Sequence, residues 1–338
     1  MVNVSGSSSD LNPVSLRRLK NWTGLAAISA FIIISFGSLV RATDSGLACP
    51  DWPLCYGELV PVFTWQIFFE WFHRLLAGLL AVSVVAASVM LMRDRFLRSQ
   101  FGWAILLASI VLTVQIILGG LTVLKLLDPG IVSLHLINGV VFLSLLLMIH
   151  LKARYLLNGQ ADDKPYHVSH GVMRSMRLIT AAILAQVFVG GMVSTNGAGL
   201  VCPDFPQCFG MWWPPYSFLV NIQMTHRYFA FAIALAIFMF SALSMRLVLP
   251  PLTRWAVRLL PILVVGQILL GVANIFYYLP VWASVGHLAN AVTMYAISLT
   301  ATFELYFVAR TYFIPADITT QHNQTNTSAS HFPVEELS

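Results

Sequence analysis

The sequence predicts an all-α fold: a polytopic membrane protein with eight transmembrane helices, arranged as two parallel four-helix-bundle repeats. Hydrophobic residues make up 58% of the 338 positions and charged residues only 10%, whereas a soluble domain carries about 25% charged residues. Eight apolar runs are long enough to cross a bilayer, and the two halves of the chain resemble each other. This composition excludes a water-soluble enzyme and a disordered chain.

The eight apolar runs are predicted to be the transmembrane helices because each is long and nearly free of charge. The fifth run is short and ends in glycines, and Pro250 and Pro251 separate the sixth from the seventh, since proline interrupts a helix. In chain order the runs lie at 22–40, 67–92, 101–124, 131–152, 176–194, 218–248, 255–279 and 281–309.

Lys and Arg predict the orientation, because positively charged loops stay in the cytoplasm. With the N-terminus inside, most of the 19 basic residues fall on the inner side, and only Arg41 and Lys125 lie in outer loops. Both termini are therefore expected in the cytoplasm, and the net charge of +5 reflects topology, with no nucleic-acid partner. No targeting presequence is recognisable, so a bacterial inner (plasma) membrane is the expected location.

The second half of the chain repeats the first. Residues 37–57 align without gaps on residues 190–210 at an offset of 153, with ten identical positions. Each half contributes four helices, an even number, so both halves enter the membrane in the same direction. The predicted segments are a cytoplasmic N-terminal segment 1–20, a first repeat 21–155, a cytoplasmic linker 156–174, a second repeat 175–311 and a disordered cytoplasmic tail 312–338.

Four histidines are expected at the outer starts of the even-numbered helices: His73, His135, His226 and His287. Neutral imidazole is a good iron ligand, and facing helices of a bundle can present one imidazole to each side of a porphyrin. Two histidines per half at one depth suit two heme sites better than a proton path. The alternative is that each is a hydrogen-bonded packing residue, but ionisable residues inside membranes are usually functional.

Charged residues beside these histidines differ between the halves. Glu70 precedes His73 by one helical turn, and its counterpart in the second half is Gln223. A carboxylate is unfavourable at membrane depth, so Glu70 is predicted to be a proton acceptor beside one heme site only; the alternative is a solvated interfacial glutamate. Arg74 and Arg227 follow the histidines and could anchor heme propionates, or they could extend toward lipid headgroups.

The four cysteines form two equivalent pairs in the long outer loops. Cys49 and Cys55 lie in the first loop, and Cys202 and Cys208 lie in the second. On the oxidising side of a bacterial membrane, each pair is expected to form one disulfide, Cys49–Cys55 and Cys202–Cys208. A structural role is favoured; a redox-active thiol pair is the alternative, and zinc binding is less well supported because no ligand-rich segment lies close by.

Taken together, these features resemble the heme A synthase family. The loop GSLVRATDSGLACPDWPLCYG, the Glu70-x-x-His73-Arg74 motif and the repeated H-L-x-N histidines carry the resemblance, which covers about residues 20–310. The resemblance implies a membrane oxidoreductase that oxidises the C8 methyl group of heme O to a formyl group. The product, heme A, would serve terminal oxidases.

The resemblance also implies roles for individual residues. His226 and His287 would ligate a resident heme b that passes electrons, and His73 and His135 would hold the substrate heme iron. Glu70 would transfer protons or stabilise a charged intermediate. Expected partners are heme O, the lipid bilayer, heme O synthase, oxidase assembly factors and an electron donor that the sequence does not name; a homo-oligomer stays open.

Three other functions fit part of the pattern. A di-heme b-type electron-transfer protein, similar to quinol dehydrogenases, would use the four histidines but gives no reason for the Glu70 and Gln223 difference. A quinone-coupled disulfide oxidoreductase would use the cysteines but leaves the histidines unexplained. A heme transporter or chaperone would bind heme without changing it.

Overall fold

The computed structural model describes residues 12–158, 166, 168–215 and 217–312. Within these residues eight helices are long and apolar enough to cross a membrane, and the extended pairings outside them are two isolated bridges. The predicted all-α membrane fold is therefore confirmed. The helices are α1 Pro13–Ala42, α2 Trp65–Arg93, α3 Arg95–Leu124, α4 Pro129–Asn158, α5 His170–Thr195, α6 Phe218–Ser244, α7 Pro251–Phe276 and α8 Val281–Tyr312.

Several helices extend beyond the apolar runs because capping residues, not hydropathy, set their ends. Helix α1 begins at Pro13 and not at residue 22, since the Asn12 side chain accepts hydrogen bonds from two amides of the first turn. Helix α3 begins at Arg95 and not at residue 101, behind the cap formed by Asp94. Helix α6 ends early, at Ser244, ahead of the two prolines that begin the next helix.

Parts of the three predicted cytoplasmic segments lie outside the described residues. These are positions 1–11 of the predicted N-terminal segment, positions 159–165 and 167 of the predicted cytoplasmic linker, and positions 313–338 of the predicted tail. The predictions made for these positions stay predictions.

Four helices form the centre of the bundle. Helices α4 and α8 contact each other, and each also contacts both α1 and α5. Helices α2 and α3 flank this centre on the side of the first half, and α6 and α7 flank it on the side of the second. Val140 on α4 and Val292 on α8 are equivalent positions, and both are fully buried. The recurrence of the same helix pairings in both halves is compatible with the predicted repeats.

The turns that follow α3 and α7 have the same unusual backbone conformation. Leu126 and Leu127 have φ angles of 50° and 59°, and the equivalent Tyr278 and Leu279 have φ angles of 56° and 59°. Residues other than glycine rarely adopt positive φ. Its occurrence at two pairs of equivalent positions shows that the halves also agree in local conformation.

One hydrogen-bonded contact joins two equivalent positions of the halves. Arg41 at the end of α1 donates from Nε to Ser194 Oγ at 3.0 Å and from Nη2 to the Ser194 carbonyl oxygen at 2.5 Å. The two residues are 153 positions apart, which is the offset of the aligned loops. If a twofold axis related the two halves, equivalent positions near that axis would contact each other.

Helix α7 lacks a side-chain cap of its own, because Pro250 occupies the cap position. Glu304 of α8 fulfils this role from a neighbouring helix. Its carboxylate accepts hydrogen bonds from the Leu252 and Thr253 amides, at 3.1 and 2.7 Å, and from the Thr253 hydroxyl at 2.8 Å. Negative charge is favourable at a helix N-terminus, so Glu304 joins α7 to α8.

We expect Glu304→Ala to lower the free energy of unfolding by about 1–3 kcal/mol, because the first amides of α7 lose a charged acceptor. The measurement is the thermal unfolding midpoint of the purified protein in detergent. Glu304→Gln is the control, since it keeps one acceptor oxygen and should lose less stability. An unchanged midpoint for Glu304→Ala would contradict this role.

Candidate heme sites

The structure places the four predicted histidines as two pairs, one in each half. In the first half, His73 on α2 and His135 on α4 are neighbours. In the second half, the ring centres of His226 on α6 and His287 on α8 are 6.3 Å apart, with the ring planes tilted by 58°. Each half thus brings together imidazoles from its second and fourth helices.

The separation of the second pair fits a metal between two imidazoles. A first-row metal binds an imidazole nitrogen at about 2 Å, so two rings on opposite sides of one iron have centres roughly 6 Å apart. The Nδ1 atoms of His73, His135 and His287 are moreover buried without a hydrogen-bond partner. Buried polar atoms are normally paired, so these rings fit a ligand-binding role better than a packing role.

A glutamine and asparagine pair lies behind the fourth-helix histidine of each half. Asn138 Nδ2 donates to Gln115 Oε1 at 2.8 Å and to the Val111 carbonyl oxygen at 3.0 Å, and Gln115 Nε2 lies 3.4 Å from His135 Nε2. Asn290 and Gln267 form the same bond at 2.8 Å. Each pair ties the third helix of its half to the helix that carries the histidine.

The second-helix histidines have different neighbours in the two halves. Gln186 Nε2 lies 2.9 Å from His226 Nδ1 and donates to the His226 carbonyl oxygen at 2.8 Å. The position equivalent to Gln186 in the first half is Ile33, which offers no hydrogen bond. His73 is instead stacked on Phe36, with ring centres 6.4 Å apart and planes 7° from parallel. His226 is therefore held by a polar contact that His73 lacks.

Glu70 is buried one turn before His73, with 4% of its surface exposed. One carboxylate oxygen accepts the Cys49 amide at 2.8 Å, and the other forms an ion pair with Arg74. Two donors, one of them cationic, thus satisfy both oxygens of this buried carboxylate. The contact also joins α2 to the first disulfide loop.

The second half contains the same framework without the carboxylate. Gln223 is 5% exposed, its Nε2 donates weakly to the Gly199 carbonyl oxygen at 3.4 Å, and its Oε1 is buried without a partner. An amide carries no charge and satisfies this position less well than Glu70 satisfies the equivalent one. The asymmetry expected from the sequence is thus present in the geometry.

Both arginines bind the disulfide loops. Arg74 donates from Nη1 to the Asp51 and Leu54 carbonyl oxygens, each at 2.7 Å, and Arg227 donates to the carbonyl oxygens of Asp204 at 2.8 Å and Cys202 at 3.2 Å. A propionate contact from either arginine would have to be added to these bonds or replace one of them. That contact stays a prediction.

The two outer loops are closed by the expected disulfides, Cys49–Cys55 and Cys202–Cys208. The sulfur-bearing residues are at most 1% exposed, which favours the structural role over a redox-active one, since reactive thiols are usually accessible.

An aspartate organises the tip of each disulfide loop. Asp51 accepts the Tyr56 and Gly57 amides at 2.6 and 2.8 Å, and Asp204 accepts the equivalent amides of Phe209 and Gly210. The hydrogen bond from Gly57 holds the pKa of the Asp51 carboxyl below its usual value, and the bond from Gly210 does the same for Asp204. Each loop is thus closed by a disulfide and by a carboxylate.

Sequence reasoning assigned no role to several residues around the histidines. Gln115 and Gln267 belong to matching Q-I-x-L-G segments, so the repeat was a signal that could have identified them. Gln186 has no such signal, because its equivalent Ile33 is apolar. The position of Gln186 relative to His226 becomes evident only when α5 and α6 are packed together.

Comparison with known proteins agrees with this arrangement. Residues 20–299 match the family COX15-CtaA, described as cytochrome oxidase assembly protein. The heme A synthase of Halalkalibacterium halodurans is 29% identical over 213 residues, which are 62% of this chain and 71% of the relative. The heme A synthase of Shewanella oneidensis is 25% identical over 323 residues, which are 83% and 95% of the two chains.

A third relative, the heme A synthase of Bacillus licheniformis, is 29% identical over 233 residues, covering 65% of this chain and 75% of the relative. The family match spans most of the chain and includes the four histidines and both disulfide loops. The protein therefore belongs to the COX15-CtaA family of cytochrome oxidase assembly proteins.

Proposed function

We propose that this protein is a heme A synthase, a membrane oxidoreductase that converts the C8 methyl group of heme O to the formyl group of heme A for terminal oxidases. The observation that carries the proposal is that two similar histidine pairs differ in the side chain beside them. One pair has the buried Glu70 one turn away, and the other has Gln223. The relatives that match most of the chain are named heme A synthase.

His226 and His287 are proposed to hold the resident heme b. Their ring separation of 6.3 Å suits two ligands of one iron, and the contact between Gln186 and His226 restrains a ring that has to stay in place. When bound, this group supplies one-electron transfer. His226 and His287 would hold the iron of this group, and the surrounding residues would fix its orientation in an apolar environment.

His73 and His135 are proposed to hold the iron of the substrate. A substrate has to enter and leave, so its ligands need less rigid support than those of a permanent cofactor. His73 fits this requirement, because it stacks on Phe36 and its Nδ1 has no hydrogen-bond partner. The two sites would then differ in how tightly the second-helix imidazole is held.

Glu70 is proposed to accept a proton or to stabilise positive charge during oxidation. Oxidation of a methyl group to a formyl group releases protons, which have to leave an apolar site. Glu70 is buried, and its partners Cys49 and Arg74 connect it to the loop region. A route from the substrate site toward the loop would therefore begin at this carboxylate.

The observations do not favour the other functions considered from the sequence. A di-heme electron-transfer protein needs no carboxylate at one site only. The burial of both disulfides is unfavourable for a quinone-coupled disulfide oxidoreductase, which has to expose its sulfur atoms to a partner. Heme A synthase accounts for the histidines, for Glu70 and for the relatives together.

The protein is a multi-pass membrane protein with bacterial relatives. Its location in an inner membrane, with both termini in the cytoplasm, is part of our proposal and rests on the distribution of Lys and Arg. This orientation puts both disulfide loops on the oxidising side. Heme O synthase, oxidase assembly factors and an electron donor are the proposed partners, with heme O as the substrate.

Expression in a bacterial host that makes heme O but not heme A should yield heme A, because only this activity forms the formyl group. The measurement is chromatography of hemes extracted from the membranes, with the empty vector as the control. Bound heme without any formyl-bearing product would contradict the synthase and support a transporter or an electron-transfer protein.

His226→Ala and His287→Ala should each abolish the low-spin spectrum of the resident heme, because each would remove one of the two proposed iron ligands. His73→Ala should leave much of that spectrum, since its site holds the substrate. The optical spectra of the purified variants provide the test. Equal loss in all variants would rule out separate roles for the two pairs.

Glu70→Gln should preserve folding and heme content, because the equivalent position accepts Gln223. Heme A output should fall by a factor of about 10² or more, or a partly oxidised heme should accumulate, because an amide accepts no proton at neutral pH. Gln223→Ala is the matched control and should keep most of the output. Normal heme A output from Glu70→Gln would remove Glu70 from the mechanism.

A further inference from the structure

Each of the four candidate ligands packs against a glycine of the preceding helix. A Cβ atom built on any of these glycines would lie 3.0–3.2 Å from the Cε1 atom of the facing imidazole. The pairs are Gly37 with His73, Gly119 with His135, Gly190 with His226 and Gly271 with His287. Carbon atoms in ordinary contact are about 3.5–4.0 Å apart, so an added Cβ would require each ring to shift by a few tenths of an ångström.

The glycines occupy equivalent positions in the repeats. Gly37 and Gly190 are separated by the 153-residue offset of the loops, and Gly119 and Gly271 by the 152-residue offset of the following segment. The same relation of one glycine to one imidazole therefore occurs on the second and on the fourth helix of each half. Small residues generally let membrane helices approach closely. Here each glycine lets its helix approach the imidazole ring of the next helix.

Other helical glycines also have close neighbours, such as Gly120 with Trp52 and Gly191 with Leu136, each at 3.1 Å from an added Cβ. Gly266 on α7, in contrast, has no atom within 4 Å of an added Cβ. A fifth histidine, His150 on α4, does pack against a glycine, Gly24, at 2.9 Å. His150 differs from the candidate ligands because its Nδ1 lies 2.8 Å from the Lys20 carbonyl oxygen, and its Cα lies about 22 Å along α4 from that of His135.

We propose that Gly37, Gly119, Gly190 and Gly271 are positioning residues that set the place of each imidazole relative to the iron it binds. This inference rests on the proposed function, because it assigns the rings to heme iron. A ring that binds iron would be held at one nitrogen, so it could not move away from an added methyl group without changing its position relative to the iron. A substitution would therefore displace the iron ligand by a few tenths of an ångström or separate the two helices.

The resident site provides the most direct test, because its heme spectrum does not depend on turnover. Gly190→Ala and Gly271→Ala are purified in detergent, and heme content, optical spectrum, electron paramagnetic resonance and midpoint potential are measured. We expect each variant to lose at least half of its low-spin signal or to show shifted g values and a shifted midpoint potential, with the protein still folded.

Two matched variants separate this effect from general packing. Gly266→Ala changes a glycine of the same helix as Gly271 but meets open space, so it should leave the spectrum unchanged. Gly24→Ala meets an imidazole just as closely, at His150, away from both heme sites. It should reduce the thermal unfolding midpoint and leave the spectrum of the bound heme unchanged.

A wild-type spectrum in folded Gly190→Ala and Gly271→Ala would overturn the proposal, as would an equal spectral change in Gly24→Ala. If Gly190→Ala does not fold, the double variant Gly190→Ala/His226→Ala is compared with His226→Ala. The double variant must recover the folded yield of His226→Ala, because the opposing ring is gone. Failure to recover this yield would also overturn the proposal. Wild-type protein without bound heme would instead contradict the proposed function, so the two failures are distinguishable.

Discussion

Every polar group inside the membrane-spanning bundle has to find its partner within the protein, because hydrocarbon offers no hydrogen bonds. This constraint explains why polar side chains occur in sets. Asn138 is bonded to Gln115, and Glu304 caps α7. Thr23 donates to the Leu19 carbonyl oxygen of its own helix at 2.8 Å. The Nδ1 atoms of three candidate ligands are buried without such a partner, which agrees with the ligand role that we propose for these rings.

The same constraint connects the disulfide loops to the chemistry. An arginine near the membrane surface needs several acceptors, and the carbonyl oxygens of a closed loop supply them to Arg74 and Arg227. In the first half the loop also satisfies one oxygen of Glu70 through the Cys49 amide. The disulfide therefore holds part of the environment of a buried carboxylate, so a structural bond in the loop can affect the proton transfer that we propose for Glu70.

The fold was predictable from the sequence because apolar length and the internal repeat are both strong signals. The helix ends were less predictable. Asn12 and Asp94 cap α1 and α3, so these helices begin with charged turns that lie outside the apolar runs. Among the site residues, the histidines and Glu70 were recognisable by their type and by the repeat. Contacts between helices, such as that of Gln186 with His226, depend on packing between α5 and α6 that no local pattern specifies.

The contact between Arg41 and Ser194 has a consequence for the origin of the chain. In a symmetric homodimer, a residue beside the twofold axis meets its own copy, so a donor would meet a donor and an arginine would meet an arginine. A single chain made by fusing two gene copies has no such restriction. In this chain the first half carries the cation and the second half carries the acceptor, which gives a complementary bond between the halves. The same freedom allows the first half to carry Glu70 where the second carries Gln223.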